Sequence, residues 1–133
     1  MMYLGIDYGE KRIGLAKGDS RLKIATPFKT ITNSPAALNE LADIVKTEVI
    51  EKIVVGVPVS FGGQKNDFAD KITEFAEDVE ARAGVPVETI NEVFSSKMAA
   101  ANSEKVDESS AALILQTYLD HAERGLPNLT YLR

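Results

Sequence analysis

The N-terminal third of the chain alternates short apolar segments with polar turns. Apolar positions in 3–6 and 13–16 flank the polar stretch 7–12, a pattern that predicts a β-hairpin. A third strand is expected over 22–31, with Pro27 placing a bulge or a sheet edge in it. Because the connections are short, these three strands should pair antiparallel.

The period then changes to that of a helix. Ser34-Pro35 is typical of an N-cap followed by a first turn, and apolar side chains recur at helical spacing from there to Val45. The β-branched run 52–57 is expected to form a central strand that is buried on both faces. A second amphipathic helix is predicted from Phe68 to Gly84, which would end it as the C′ residue.

The last third contains a short strand and a helix. The strand is expected over 85–90 and the helix from about Asp107 to Glu123. The whole order predicts an α/β fold in which a mixed five-stranded sheet, with three antiparallel strands and then two parallel ones, carries helices on both faces. A chain of 133 residues is expected to form one domain over 1–133.

Composition narrows the function classes. The apolar fraction of 44% and the charged fraction of 26% are those of a globular protein, and no apolar run reaches the roughly 20 residues of a membrane span. The N-terminus lacks a secretion signal pattern, so we expect a cytoplasmic protein without a membrane partner. With no cysteine and with His121 as the one histidine, a metal site must use oxygen ligands, which favours Mg²⁺ or Mn²⁺.

Charge is distributed unevenly along the chain. The formal net charge is −5, yet residues 1–32 carry +3 and the remainder carries −8. A basic N-terminal third beside an acidic pocket could hold a phosphate backbone near metal ions. From charge alone, a solvated surface with ordinary lysines explains the pattern equally well.

Three acidic residues lie where strands or helices begin or end, namely Asp7, Glu92 and Asp107. If the fold gathers them, they form an oxygen-only pocket suited to a hard divalent cation. Each has another explanation: Asp7 could hold its own hairpin turn, Glu92 could be a solvated loop residue, and Asp107 could be the N-cap of the last helix. For Asp107 both roles are compatible, because one carboxylate oxygen can cap while the other binds metal.

The order of these motifs resembles the YqgF/RuvX family of ribonuclease H-like proteins, bacterial proteins described as Holliday junction resolvases and as pre-16S ribosomal RNA nucleases. The resemblance covers essentially the whole chain. It rests on Gly5-Ile6-Asp7-Tyr8-Gly9 with the following residues 11–16, on Val54-Val55-Gly56-Val57-Pro58, and on Val106-Asp107 with the residues 110–112 and 114–116. It implies a ribonuclease H-like fold and a nuclease that uses Mg²⁺ or Mn²⁺, with two ions expected.

The resemblance also implies two groups of site residues. The catalytic and metal-binding group is Asp7, Glu92 and Asp107, and the nucleic-acid-binding group is Lys11, Arg12, Ser95 and Ser96. The implied reaction is hydrolysis of phosphodiester bonds in structured nucleic acid. Processing of the 5′ end of pre-16S ribosomal RNA comes first and resolution of branched DNA second, and the protein is expected to act as a monomer or homodimer.

One motif departs from the family pattern. Asn91 and Val93 stand where the family has an aspartate and an arginine, although the acidic Glu92 is present between them. If the family's second metal ligand corresponds to Glu92, the predicted site is intact. If it corresponds to position 91, the site loses one negative charge. The substitution leaves open a catalytically silent nucleic-acid-binding module of the same fold.

Overall fold

The computed structural model describes residues 1–57, 67–91, 107–124 and 131–132. These ranges contain six strands and three helices. The strands are β1 (Met2–Tyr8), β2 (Arg12–Asp19), β3 (Ile24–Thr32), β4 (Ile50–Val57), β5 (Val87–Asn91) and β6 (Tyr131–Leu132). The helices are α1 (Ala37–Thr47), α2 (Asp67–Ala83) and α3 (Glu108–Arg124).

All strands belong to one sheet with the order β3-β2-β1-β4-β5-β6. β1 pairs antiparallel with β2 and β2 with β3, while β1–β4 and β4–β5 are parallel, so the predicted mixed arrangement is confirmed. The prediction missed β6, which pairs antiparallel with β5. Pro27 lies on the edge strand β3, where the β2–β3 register shifts between Leu15 and Ala16, as the sequence predicted.

Helices cover both faces of the sheet, and each face has its own apolar cluster. On one face, Ile6 and Leu15 of the sheet belong to the cluster that α1 and α2 complete. On the other, Val54 and Ile90 pack with Leu115 of α3. None of the helices in the described ranges is long and apolar enough to cross a bilayer.

The start of α1 differs from the prediction. Ser34 was expected to be the N-cap, but the helix begins at Ala37 and the capping position is Ala36, whose side chain makes no capping hydrogen bond. Ser34 instead forms a turn: its hydroxyl accepts from the Ala36 N–H at 3.2 Å and its carbonyl from the Ala37 N–H at 2.9 Å. The predicted end of α2 is confirmed, since Gly84 follows it with φ +76°.

Glycines allow α3 to lie close against the sheet. A Cβ atom on Gly5 of β1 would lie 2.7 Å from Leu115 Cβ, and one on Gly18 of β2 would lie 3.0 Å from Leu115 Cδ2. The distance at Gly5 is shorter than carbon atoms tolerate, so only glycine fits there without a shift, whereas at Gly18 the leucine side chain would have to move by a few tenths of an ångström. The first turn of α3 is thereby brought close to the sheet near the carboxyl end of β1.

Candidate active site

A row of three residues crosses the sheet beneath the start of α3. Asp7 of β1 pairs with Gly14 of β2, and Gly14 pairs with Thr30 of β3. Residues opposite each other on neighbouring strands face the same side of a sheet. The row lies on the α3 side, because Gly14 contacts Asp107 and Thr30 binds Glu108.

Gly14 brings the main chain of Asp107 directly onto the sheet. A Cβ atom at Gly14 would lie 2.1 Å from the Asp107 carbonyl oxygen and 2.4 Å from its carbonyl carbon. Only a hydrogen atom fits in that gap. Because Gly14 is the cross-strand neighbour of Asp7, this contact brings Asp107 beside Asp7, although the two residues are far apart in sequence.

Ser110 links the two carboxylates. Its backbone N–H donates a hydrogen bond to Asp107 Oδ1 at 3.0 Å, so Asp107 is the N-cap of α3. Its side chain forms a hydrogen bond with the Asp7 carboxylate. The first turn of α3 therefore holds both acidic groups through one residue.

Burial raises the pKa of Asp7 from 3.8 to about 7, with the negative charge of Asp107 as the second cause, while the hydrogen bond from Ser110 acts in the opposite direction. The ionised carboxylate is thus disfavoured by its surroundings. At neutral pH an appreciable fraction of Asp7 carries a proton. A cation bound between Asp7 and Asp107 would relieve the repulsion and favour the ionised form.

The donors fit a hard divalent cation. Asp7 and Asp107 contribute carboxylates, and no cysteine is present in the sequence, so oxygen is the dominant donor type. Across the described ranges, no group of three or more His, Cys, Asp or Glu side chains is close enough to hold an ion. The predicted third ligand, Glu92, lies outside the described residues, as do Ser95 and Ser96.

Two basic residues lie at the hairpin beside this row. Arg12 is the first residue of β2 and precedes Gly14 by two positions, which puts it on the same sheet face as Asp7. Lys11 lies in the turn, and its carbonyl accepts the Asn33 N–H at 2.9 Å. Both side chains are exposed.

Comparison with known proteins identifies the family. Residues 1–121 match the family model described as "RuvX: Holliday junction resolvase". The chain belongs to the RuvX family. Two relatives named "Putative pre-16S rRNA nuclease" support this: one from Sulfurihydrogenibium sp. is 36% identical over 128 residues, covering 88% of each chain, and one from Chloroflexus aurantiacus is 31% identical over 141 residues, covering 96% of this chain and 92% of the relative.

Solved structures confirm the fold of this RuvX family member. RuvC of T. thermophilus, solved in complex with a Holliday junction substrate, matches with a TM-score of 0.61 at 19% identity and covers 99% of both chains. The fowlpox virus resolvase, solved with Holliday junction DNA, matches with a TM-score of 0.52 at 13% identity and covers 92% of this chain and 99% of its own. At these identities the likeness concerns the fold, which is the predicted ribonuclease H-like one.

Sequence reasoning about this RuvX family member missed the contacts that surround the two carboxylates. Thr30 Oγ1 donates a hydrogen bond to Glu108 Oε1 at 2.7 Å, and this bond is the first cause that lowers the pKa of Glu108. Nothing in the sequence signals this pair, which is 78 positions apart. The backbone bond of Ser110 is the one that a capping aspartate predicts, whereas no local pattern indicates that its side chain contacts Asp7.

Proposed function

We propose that this RuvX family member is a nuclease that hydrolyses phosphodiester bonds with the help of bound Mg²⁺ or Mn²⁺. The observation that carries the proposal is the approach of Asp7 and Asp107 at a partly buried place, where burial first and the charge of Asp107 second raise the pKa of Asp7 to about 7. Like charges held together in a partly buried place are costly unless a cation neutralises them. A carboxyl group with a pKa raised by burial and by a specific charged neighbour is typical of functional sites.

Glu92 is proposed as the third ligand in preference to position 91. Asn91 of β5 pairs with Val57, and Val57 belongs to the cluster on the α1 and α2 side of the sheet. Ile90 belongs to the α3 side, which is the side of Asp7. Because positions in a strand alternate between faces, the register puts position 91 on the face opposite to Asp7, which disfavours it as a ligand and leaves Glu92 as the proposed one. The substitution at 91 then leaves the proposed ligand set unchanged.

The chain's own residues have distinct roles in the proposed reaction. Asp7, Glu92 and Asp107 would hold the metal, and two ions are proposed. Ser110 would orient the Asp7 carboxylate through its hydroxyl. When bound, divalent cations stabilise negative charge on the attacking and leaving oxygens of a phosphodiester displacement. Lys11 and Arg12, together with Ser95 and Ser96, would bind the backbone phosphates and keep the scissile bond in register.

The proposed substrate is the 5′ region of a ribosomal RNA precursor, processed in the cytoplasm by a single-domain protein. The relatives that carry the pre-16S rRNA nuclease name share 31–36% identity with this chain, whereas the junction-bound RuvC structure shares 19%. Branched DNA is the second candidate, because the family model carries the description Holliday junction resolvase.

The decisive experiment compares Asp107→Asn with Asp43→Asn. Asparagine caps a helix about as well as aspartate, so Asp107→Asn removes a proposed metal ligand while keeping the start of α3. Asp43 is an exposed carboxylate on α1 and controls for the loss of one charge. These two variants and a third single variant, Asp7→Asn, would each be assayed with Mg²⁺ or Mn²⁺. The substrates would be a pre-16S RNA carrying its 5′ extension and a four-way DNA junction.

We expect Asp7→Asn and Asp107→Asn to lower cleavage by about 100-fold or more, and Asp43→Asn to cleave as wild type does. Cleavage of the RNA alone would assign the first substrate, and cleavage of the junction alone would assign the second. Unchanged cleavage by Asp7→Asn would overturn the metal-ligand role. Nucleic-acid binding without any cleavage by wild type would favour the silent module.

A further inference from the structure

We propose that the hydrogen bond between Thr30 and Glu108 is a positioning contact that keeps Asp107 in place for metal binding. The inference rests on the proposed function, because it concerns the same two carboxylates. Thr30 and Glu108 belong to neither of the predicted residue groups. They are joined by the 2.7 Å bond from Thr30 Oγ1 to Glu108 Oε1.

The start of α3 meets one residue on each of three neighbouring strands. Ser110 bonds to Asp7 of β1, the main chain of Asp107 lies on Gly14 of β2, and Glu108 bonds to Thr30 of β3. Neighbouring strands lie about 4.8 Å apart, so Thr30 and Asp7 are separated by about 10 Å across the sheet. The bond therefore holds the carboxylate of Glu108 on the β3 side and does not bring it onto an ion bound at Asp7.

A second anchor is needed because, besides the hydrogen bond from Ser110, two carboxylates repel each other on the β1 side. Asp7 is the cross-strand neighbour of Gly14, on which the main chain of Asp107 rests, so the two like charges lie side by side and their repulsion pushes Asp107 away from β1 when both are ionised. The glycine beneath Asp107 offers no side chain that could resist this. A hydrogen bond to a charged carboxylate is among the stronger ones in proteins, and the one at Thr30 holds the residue next to Asp107 on the sheet.

A second polar link between α3 and β3 provides a matched control. The Gln116 side chain accepts the Ala25 N–H at 2.9 Å and donates to the Lys23 carbonyl at 2.9 Å. It attaches the same helix to the same strand, but eight residues further along α3 than the Thr30 contact. A contact that only stabilises the packing of α3 on β3 should behave as Gln116 does.

The experiment measures Mn²⁺ affinity and thermal unfolding in the full chain for Thr30→Val, Thr30→Ser and Gln116→Leu. Valine keeps the shape and strand preference of threonine but removes the hydroxyl, and it leaves the charge of Glu108 in place. Serine restores the hydroxyl and tests rescue. Mn²⁺ binding would be followed by electron paramagnetic resonance of the free ion.

We expect Thr30→Val to weaken Mn²⁺ binding about tenfold, as the loss of contacts around metal ligands typically does. Thr30→Ser should bind within about threefold of wild type, and Gln116→Leu should unfold at a lower temperature with unchanged affinity. If wild type binds Mn²⁺ and Thr30→Val binds it with the same affinity, the inference about Thr30 is overturned and the proposed function stands. Wild-type protein that binds no Mn²⁺ would overturn the proposed function and the inference with it.

Discussion

Replacing Asp7 with asparagine should stabilise the metal-free protein, although it removes a proposed catalytic residue. Asparagine keeps an oxygen that can accept the Ser110 hydroxyl but carries no charge. The unfavourable burial of a carboxylate beside Asp107 is therefore lost in Asp7→Asn. Sites that bind ligands commonly trade stability for function in this way.

The size and sign of the effect follow from the pKa of Asp7. Folding raises it from 3.8 to about 7, and each unit corresponds to about 1.4 kcal/mol, so the ionised group costs up to about 4 kcal/mol in the folded state. Solvent relaxation reduces this, and we expect about 2–4 kcal/mol. Because the folded protein binds this proton more tightly than the unfolded chain, wild-type stability falls as pH rises from about 4 to about 7.

The assay is thermal unfolding in a chelator between pH 5 and pH 8. At about 3–4 °C per kcal/mol for a chain of this length, Asp7→Asn should unfold about 6–16 °C above wild type at pH 8, and the difference should shrink toward pH 5. Added Mn²⁺ at 100 times its Kd should stabilise wild type by about 2.7 kcal/mol and leave Asp7→Asn unaffected. Asp43→Asn serves as the control without this pH dependence.

A melting temperature of Asp7→Asn equal to or below that of wild type at pH 8 in chelator would refute the reasoning. It would mean that Asp7 is not held against a like charge in the folded protein. A difference that is constant between pH 5 and pH 8 would also contradict it, because the titration of Asp7 falls within that window.

Three other substitutions test separate features. Gly14→Ala should weaken Mn²⁺ binding and lower the free energy of unfolding by about 1–3 kcal/mol, since its Cβ would lie 2.1 Å from the Asp107 carbonyl oxygen; unfolding and metal titration check this. Val49→Gly should raise the free energy of unfolding by about 0.5–1 kcal/mol, because Val49 follows α1 at φ +54° and is 68% exposed, so that glycine relieves strain and loses little packing. Chemical denaturation measures this, and a lower free energy of unfolding in the variant would disprove it. Arg12→Ala should weaken nucleic-acid binding and reduce the slope of log K against log salt concentration by about one, whereas the control Arg21→Ala should leave that slope unchanged. An unchanged slope in Arg12→Ala would show that Arg12 does not contact the phosphates.

Local sequence patterns predicted the helices and strands whose position depends on residues close together in the sequence. The helical period and Gly84 located α2, and Pro27 located the edge strand with its register shift, since each acts through its own backbone. Ser34 was assigned wrongly because its side chain and carbonyl serve a turn just before the helix. The strand β6 was missed because two residues have no measurable period.

The residues of the candidate site also fall into those that the sequence predicts and those that it does not. The family motifs and the chemistry of carboxylates pointed to Asp7 and Asp107, and the structure brings these two together. The contact that brings them together could not be foreseen, because Gly14 acts through the absence of a side chain. The hydrogen bond from Thr30 to Glu108 joins distant segments, and no local pattern encodes such a partner.

The contact of Gly14 with Asp107 limits which substitutions in this chain can disturb the site. Main chain rests on main chain at that point, so the spacing of the two carboxylates depends on peptide dimensions that all proteins share. Exchanges among leucine, isoleucine and valine elsewhere in the interior change side-chain volume but leave that spacing alone. This chain could therefore change much of its hydrophobic interior without altering the distance between the backbones of Gly14 and Asp107.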